Sequence, residues 1–172
     1  MVIPRPAAGE FDPYFGTYIG QVPGEDALPP LVAQRRSTMQ LFEGLTEAQG
    51  ELRYAAGKWS IKEIVGHLAD AERIFAYRLL RIARADPTPL ASFDENAYVP
   101  AGRFDRRPLP DLAAEFAAVR DATLYLLAGL DAEALSRVGT ASGKPISARA
   151  LAWIIAGHQI HHLRVIRERY LS

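Results

Sequence analysis

The chain has 172 residues, with 20 Lys and Arg balanced by 20 Asp and Glu, 49% hydrophobic residues and no cysteine. That length suits one domain, which at this size buries roughly 70% of its unfolded surface and needs neither disulfide nor structural metal to fold. Lack of cysteine excludes thiolate nucleophiles and cysteine-held clusters or zinc sites, and a formal charge of zero leaves no global field to gather nucleic acid or an anionic membrane.

Residues 1–28 are rich in Gly, Pro and aromatics and read as an irregular arm, with Tyr14, Phe15, Tyr18 and Ile19 packed onto the domain formed by residues 29–172. Prolines and an acid interrupt the opening segment where a secretory signal would carry an apolar core, and no membrane-spanning apolar run follows, so the expected setting is the cytoplasm. The first helix is predicted over Leu31 to Leu45, opened by Pro29 and Pro30. The second has the clearest start: Ser60 as N-cap with Glu63 three residues on, a capping box, running to Arg84 and stopping before Pro87.

A connector from Ala85 to Leu109 follows, longer than structureless links in compact domains usually are, and it reads either as the roof of a pocket or as a plain crossing of the bundle. Phe93, Asn96, Tyr98 and Arg103 are its candidate pocket residues, beside Asp94 and Glu95. The third helix covers Leu112 to Gly129, and the fourth Ser147 to Tyr170, after the turn signal Ser142-Gly143-Lys144-Pro145. Four amphipathic helices whose apolar stripes must be buried against one another predict an all-α fold, a four-helix bundle; a strand reading of these segments has little support.

All four histidines fall in predicted helices: His67 in the second, and His158, His161 and His162 in the last. On a helical wheel with Leu151 at zero, Ile154, Ile155, Val165 and Ile166 centre the buried stripe near zero, and His158 and His162 straddle that centre at about 340 and 20 degrees. His161, at about 280 degrees, sits on the shoulder. Two imidazoles one turn apart on one face can share a metal ion, or both can be core residues that each need a buried hydrogen-bond partner. His67 lies about 110 degrees from the centre of its own stripe, neutral taken alone but at the inward edge where an adjacent helix would find a third ligand.

Three histidines leave a divalent ion an open position for water or a substrate atom. Zinc and nickel both suit imidazole, and either could make water or an incoming thiol more acidic. No catalytic base stands beside the pair. Glu72 falls near the middle of the second helix's stripe and needs a partner, either an arginine such as Arg36 or Arg78 or a metal ligand behind which it stands. Trp59 reads as a packing residue beside the Ser60 cap, and Trp153 points away from the histidines toward the arm, another helix or a second copy.

Two segments, GKWSIKEIVGHLADAERIFAYRL at 57 to 79 and GHQIHHLRVIRERY at 157 to 170, resemble the DinB/YfiT-like superfamily of small four-helix-bundle metalloenzymes. The resemblance covers most of the chain after the arm. It implies that His67, His158 and His162 bind a divalent metal, nickel or zinc, and that His161 does not. It also implies a small-molecule substrate, with thiol-dependent transferases and a mycothiol-dependent isomerase among the family's activities. Homodimers through helix faces are common in the family, and Leu124, Tyr125 and Leu127 offer an apolar surface suited to core or dimer contact. The expected function is metal-dependent, by activated water in a hydrolase or by transfer of a low-molecular-weight thiol. The alternative is a non-catalytic metal-binding or stress-related bundle. Nucleic acid is not an expected partner.

Overall fold

Local sequence signals set the helix ends in the computed structural model, which describes residues 1–171. The arm turns through a 3-10 segment at Pro13–Phe15, capped by Asp12, into α1 (Gly16–Ile19). Pro29 and Pro30 sit in the first turn of α2 (Leu28–Glu43), where a missing amide leaves no intrahelical bond unmade. A single capped turn, α3 (Glu47–Gly50), precedes α4 (Ile61–Ala83), which starts on the capping box. There the Glu63 amide donates to Ser60 Oγ at 3.2 Å, and the Ser60 amide donates to the Glu63 carboxylate at 2.7 Å.

The Ala85–Leu109 connector is not a structureless link. Leu90 pairs with the second connector, its amide donating to the Thr140 carbonyl (2.8 Å) and its carbonyl accepting from the Ser142 amide (2.9 Å). Beyond it come α5 (Glu95–Gly102) and a 3-10 turn at Phe104–Arg106. Next are α6 (Leu109–Ala128) and α7 (Ala132–Ser136), then a hairpin that the sequence reading did not include. Its strands, β1 (Val138–Ala141) and β2 (Lys144–Ser147), are antiparallel, with Val138 opposite Ser147 and Ala141 opposite Lys144. Ser142 and Gly143 turn it with φ of 54° and 74°, the mirror-type turn that two-residue hairpins favour. Ser147 caps α8 (Ala148–Arg169), accepting from the Ala150 amide at 3.0 Å.

The four long helices, α2, α4, α6 and α8, form the bundle, with α4 packed on both α6 and α8 and α1 laid against α8. Trp153 is fully buried on the side of α8 away from the histidines, and its indole Nε1 donates to the carbonyl oxygens of Ile3 and Pro4, each at 3.0 Å. Leu127 belongs to the core, whereas Tyr125 is 82% exposed. Among the described residues no helix is long and apolar enough to cross a membrane.

A buried polar network ties the bundle together. Arg120 of α6 has no exposed surface, and its Nε and Nη2 donate to the two carboxylate oxygens of Glu72 on α4 at 2.7 and 2.8 Å. Its Nη1 donates to the Leu31 carbonyl and to Gln34 Oε1 on α2, both at 3.1 Å. Gln34 in turn donates to the Ala156 carbonyl of α8 at 3.0 Å. Glu72 thus has a partner other than either arginine first considered, and its carboxylate stands behind no histidine.

Candidate metal centre

His67 reaches the interior from α4, and His158 and His162 from successive turns of α8. Their Nε2 atoms converge: His158 lies 3.1 Å from His67 and 3.1 Å from His162. The ligand atoms of all three fall within 4.8 Å of one another, and no other such group of His, Asp or Glu occurs among the described residues. His161 is outside the cluster, with its ring against Tyr18 at 5.6 Å.

Glycine precedes both inward-facing helix positions, for a steric reason. A Cβ at Gly66 would lie 2.3 Å from the Phe104 ring, and one at Gly157 would lie 2.0 Å from the Tyr18 carbonyl oxygen. Bare helix surface beside each histidine therefore lets the connector settle on α4 and the arm settle on α8.

The rings are held by aromatic neighbours rather than by carboxylates. Trp59 lies 4.8 Å from His67, while Tyr18 and Phe75 meet His158 in T-shaped contacts at 5.4 and 5.7 Å. Burial pushes the His67 pKa down to about 4 and pushes those of His158 and His162 well below the ordinary imidazole value. At neutral pH all three are therefore neutral, with lone pairs to offer.

The donor set fits a divalent ion. A neutral ring nitrogen carries one proton or one lone pair, so Nε2 of His158 cannot make two good hydrogen bonds to its two neighbours at once. Metal–nitrogen bonds of about 2.0–2.1 Å in a tetrahedral site set ligand nitrogens about 3.3 Å apart, close to the 3.1 Å from His158 to each of the other two. Three ligands from the chain would leave one position of a tetrahedral ion open for a small molecule.

A cavity of about 240 Å³ lies over the histidines, walled by Phe15 and Tyr18 of the arm, Trp59, Ala71 and Phe75. Arg78, Phe93, Glu95 and Ser142 close its far part. Of the connector residues named from the sequence, Phe93 and Glu95 line it. Asn96 lines a neighbouring cavity that shares Trp59 and His162. Tyr98 is 47% exposed and packs on Phe93 at 5.5 Å, and Arg103 takes a left-handed conformation at the end of α5; neither reaches the cavity wall. Trp59 does more than support the cap, because it lines both cavities. Arg78 was considered only as a partner for Glu72, yet its wheel position, about 20 degrees from that of His67, puts both on one face.

The family model for the DinB superfamily matches residues 31–166. Among solved structures, YfiT from Bacillus subtilis, described as "a probable metal-dependent hydrolase with an unusual four-helix bundle topology", is 18% identical, with a TM-score of 0.73 over 95% of this chain and 89% of that one. A DinB-like protein, YjoA, also from Bacillus subtilis, is 21% identical, with a TM-score of 0.60 over 82% and 86% of the two chains. These likenesses concern the fold. No curated protein matches by sequence.

Proposed function

The chain belongs to the DinB superfamily, and from that premise we propose that it is an enzyme acting on a small molecule through one divalent ion, zinc or nickel, held by His67, His158 and His162. The observation that carries this reading is the convergence of three buried Nε2 atoms, with contacts too many for the protons and lone pairs available. When bound, such an ion supplies Lewis acidity and makes water or a thiol in its open position a stronger acid.

The chain's own groups do the rest. Trp59, Tyr18 and Phe75 hold the imidazoles and limit water around them. Burial, together with the neighbouring Tyr14 hydroxyl, raises the Tyr18 pKa, so its phenol stays protonated on the cavity wall. Glu95 is the carboxylate on the cavity wall and the group placed to accept a proton there. Hydrolysis by activated water is the first version. Transfer of a low-molecular-weight thiol is the second, favoured by the absence of any carboxylate within the histidine cluster: a thiol ionises near pH 8.5 unaided and needs less help from a base than water does.

Metal analysis of the purified protein tests the site, with near one zinc or nickel per chain expected and loss of that ion in His158→Ala and His162→Ala. Wild-type protein that takes up neither metal would overturn the proposal. Turnover of an ester and amide panel, with and without added thiol, separates the two versions, and a loaded protein inert in both would be a non-catalytic metal binder.

A further inference from the structure

Three cationic side chains are buried in the described structure, and two of them have a carboxylate. Arg120 is paired with Glu72, and the Lys62 ammonium lies 2.6 Å from Glu47. Arg78 is the exception. It is 4% exposed, yet no carboxylate lies within salt-bridge distance of it among the described residues. Its hydrogen bonds both use Nη2, to the Ala91 carbonyl at 2.6 Å and to Ser142 Oγ at 3.2 Å, and its guanidinium rests over the Phe93 ring at 5.7 Å.

Nε and Nη1 are left without a partner. Neither is a sealed, unsatisfied atom, since the side-chain atoms in that condition among the described residues are Oε1 of Gln21 and of Gln159. Both therefore keep accessible surface, and Arg78 is among the residues that line the cavity. A buried guanidinium with no anion is costly, and an anion that enters from outside removes the cost. Ser142 accepts from Nη2 and keeps its own proton to donate to the same anion.

The cavity also fixes where that anion lies relative to the metal ligands. His67, Ala71, Phe75 and Arg78 share one face of α4, and eleven residues of helix rise about 16 Å. Arginine leans back toward the helix N-terminus, which leaves on the order of 10 Å between guanidinium and imidazoles. The stretch between is apolar, formed by Ala71, Phe75 and Phe15, and no second Lys or Arg lines the cavity among the described residues. Glu95 shares that wall but makes no ion pair with Arg78 among the described residues, so the guanidinium still calls for one negative charge at its own end.

We propose that Arg78, with Ser142, anchors the terminal carboxylate of an elongated substrate whose apolar middle lies along Ala71 and Phe75 and whose reacting end meets the histidine cluster. The assignment of the reacting end rests on the metal-site reading above, whereas the carboxylate anchor does not.

Calorimetric titration of zinc-loaded protein with ω-phenylalkanoates of three to six chain carbons, and with their amides, tests it. At the best chain length the carboxylate is expected to bind about tenfold or more tighter than its amide, as charge-assisted hydrogen bonding requires. The preference is expected to survive removal of the metal with a chelator, with the fold checked by circular dichroism. It is expected to fall to within about twofold in Arg78→Met and in Arg78→Gln, the latter keeping donors for the Ala91 carbonyl in case the former does not fold. Equal binding of acid and amide, no binding by either, or a preference that persists in the Arg78 variants and disappears with the metal would overturn the anchor. A wrong metal reading would show separately, as a protein without zinc that still prefers the acids.

Discussion

Arg120 and Arg78 are both buried in the bundle, on α6 and α4, and their surroundings are opposite. Arg120 is enclosed by acceptors from two other helices: both oxygens of Glu72, the Leu31 carbonyl and Gln34. Arg78 has one carbonyl and one hydroxyl and lines a cavity shared with three neutral imidazoles and with Glu95, which makes no ion pair with it among the described residues. A polar group that the fold satisfies internally locks helices in place, and one that the fold leaves incomplete is available to something that arrives. Burial alone would not have distinguished the two.

The contrast can be broken most forcefully at its closed end. Glu72→Ala leaves Arg120 as an uncompensated buried charge and is expected to cost about 3–5 kcal/mol in urea unfolding. A loss near zero would mean that the network does not hold the helices. The open end is sharpened by pH. Burial pushes His67 to about 4 from an ordinary value of 6.5, so the unfolded chain takes up this proton at a higher pH than the folded one does. The associated stability is whole above about pH 6.5 and is lost as pH falls through about 4, and it amounts to about 3 kcal/mol. His158 and His162 act in the same direction. Unfolding of chelator-treated protein at neutral pH and near pH 4 measures the loss, and equal stability at the two would mean that the imidazoles are not held neutral. The smallest effect belongs to Arg78→Met. No ion pair is lost there, so a change within about 1 kcal/mol is expected in the same urea assay, with the damage appearing in ligand binding instead.

Much of this arrangement was legible in the sequence because it is written in local periodicity. The Ser60–Glu63 box marks the start of α4, Ser147 caps α8, and the four-residue spacing of His158 and His162 places both rings on one face. The convergence of His67 on them was suggested by its inward-edge position and by family resemblance, and it depends on how α4 packs against α8. Elements that owe their existence to tertiary contact were not legible. α5 is eight residues long with Pro100 inside it, a poor helix by propensity; its Val99 is buried, and Phe104 just beyond it packs with Ile61, Val65 and Leu68 of α4. The hairpin has four-residue strands and gains its neighbour, Leu90, from the other connector. Arg120 could have been found, since Leu112, Phe116, Arg120, Thr123 and Leu127 share one face of α6 within about 80 degrees. Its partner could not, because nothing in the spacing of one helix says which acid on another will meet it.

The cavity wall formed by Phe15 and Tyr18 depends on contacts between parts of the chain that are far apart in sequence. Tyr18 rests on Gly157, and Trp153 is tied to Ile3 across 150 residues. Closing a loop grows costlier only slowly with its length, so seating the arm across 150 residues costs within about 0.5 kcal/mol of pairing α4 with α8 across 91. The tether at Trp153 is thus also a tether for the site: with the arm released, Phe15 and Tyr18 leave the wall and the imidazoles of α4 and α8 stand open on that side.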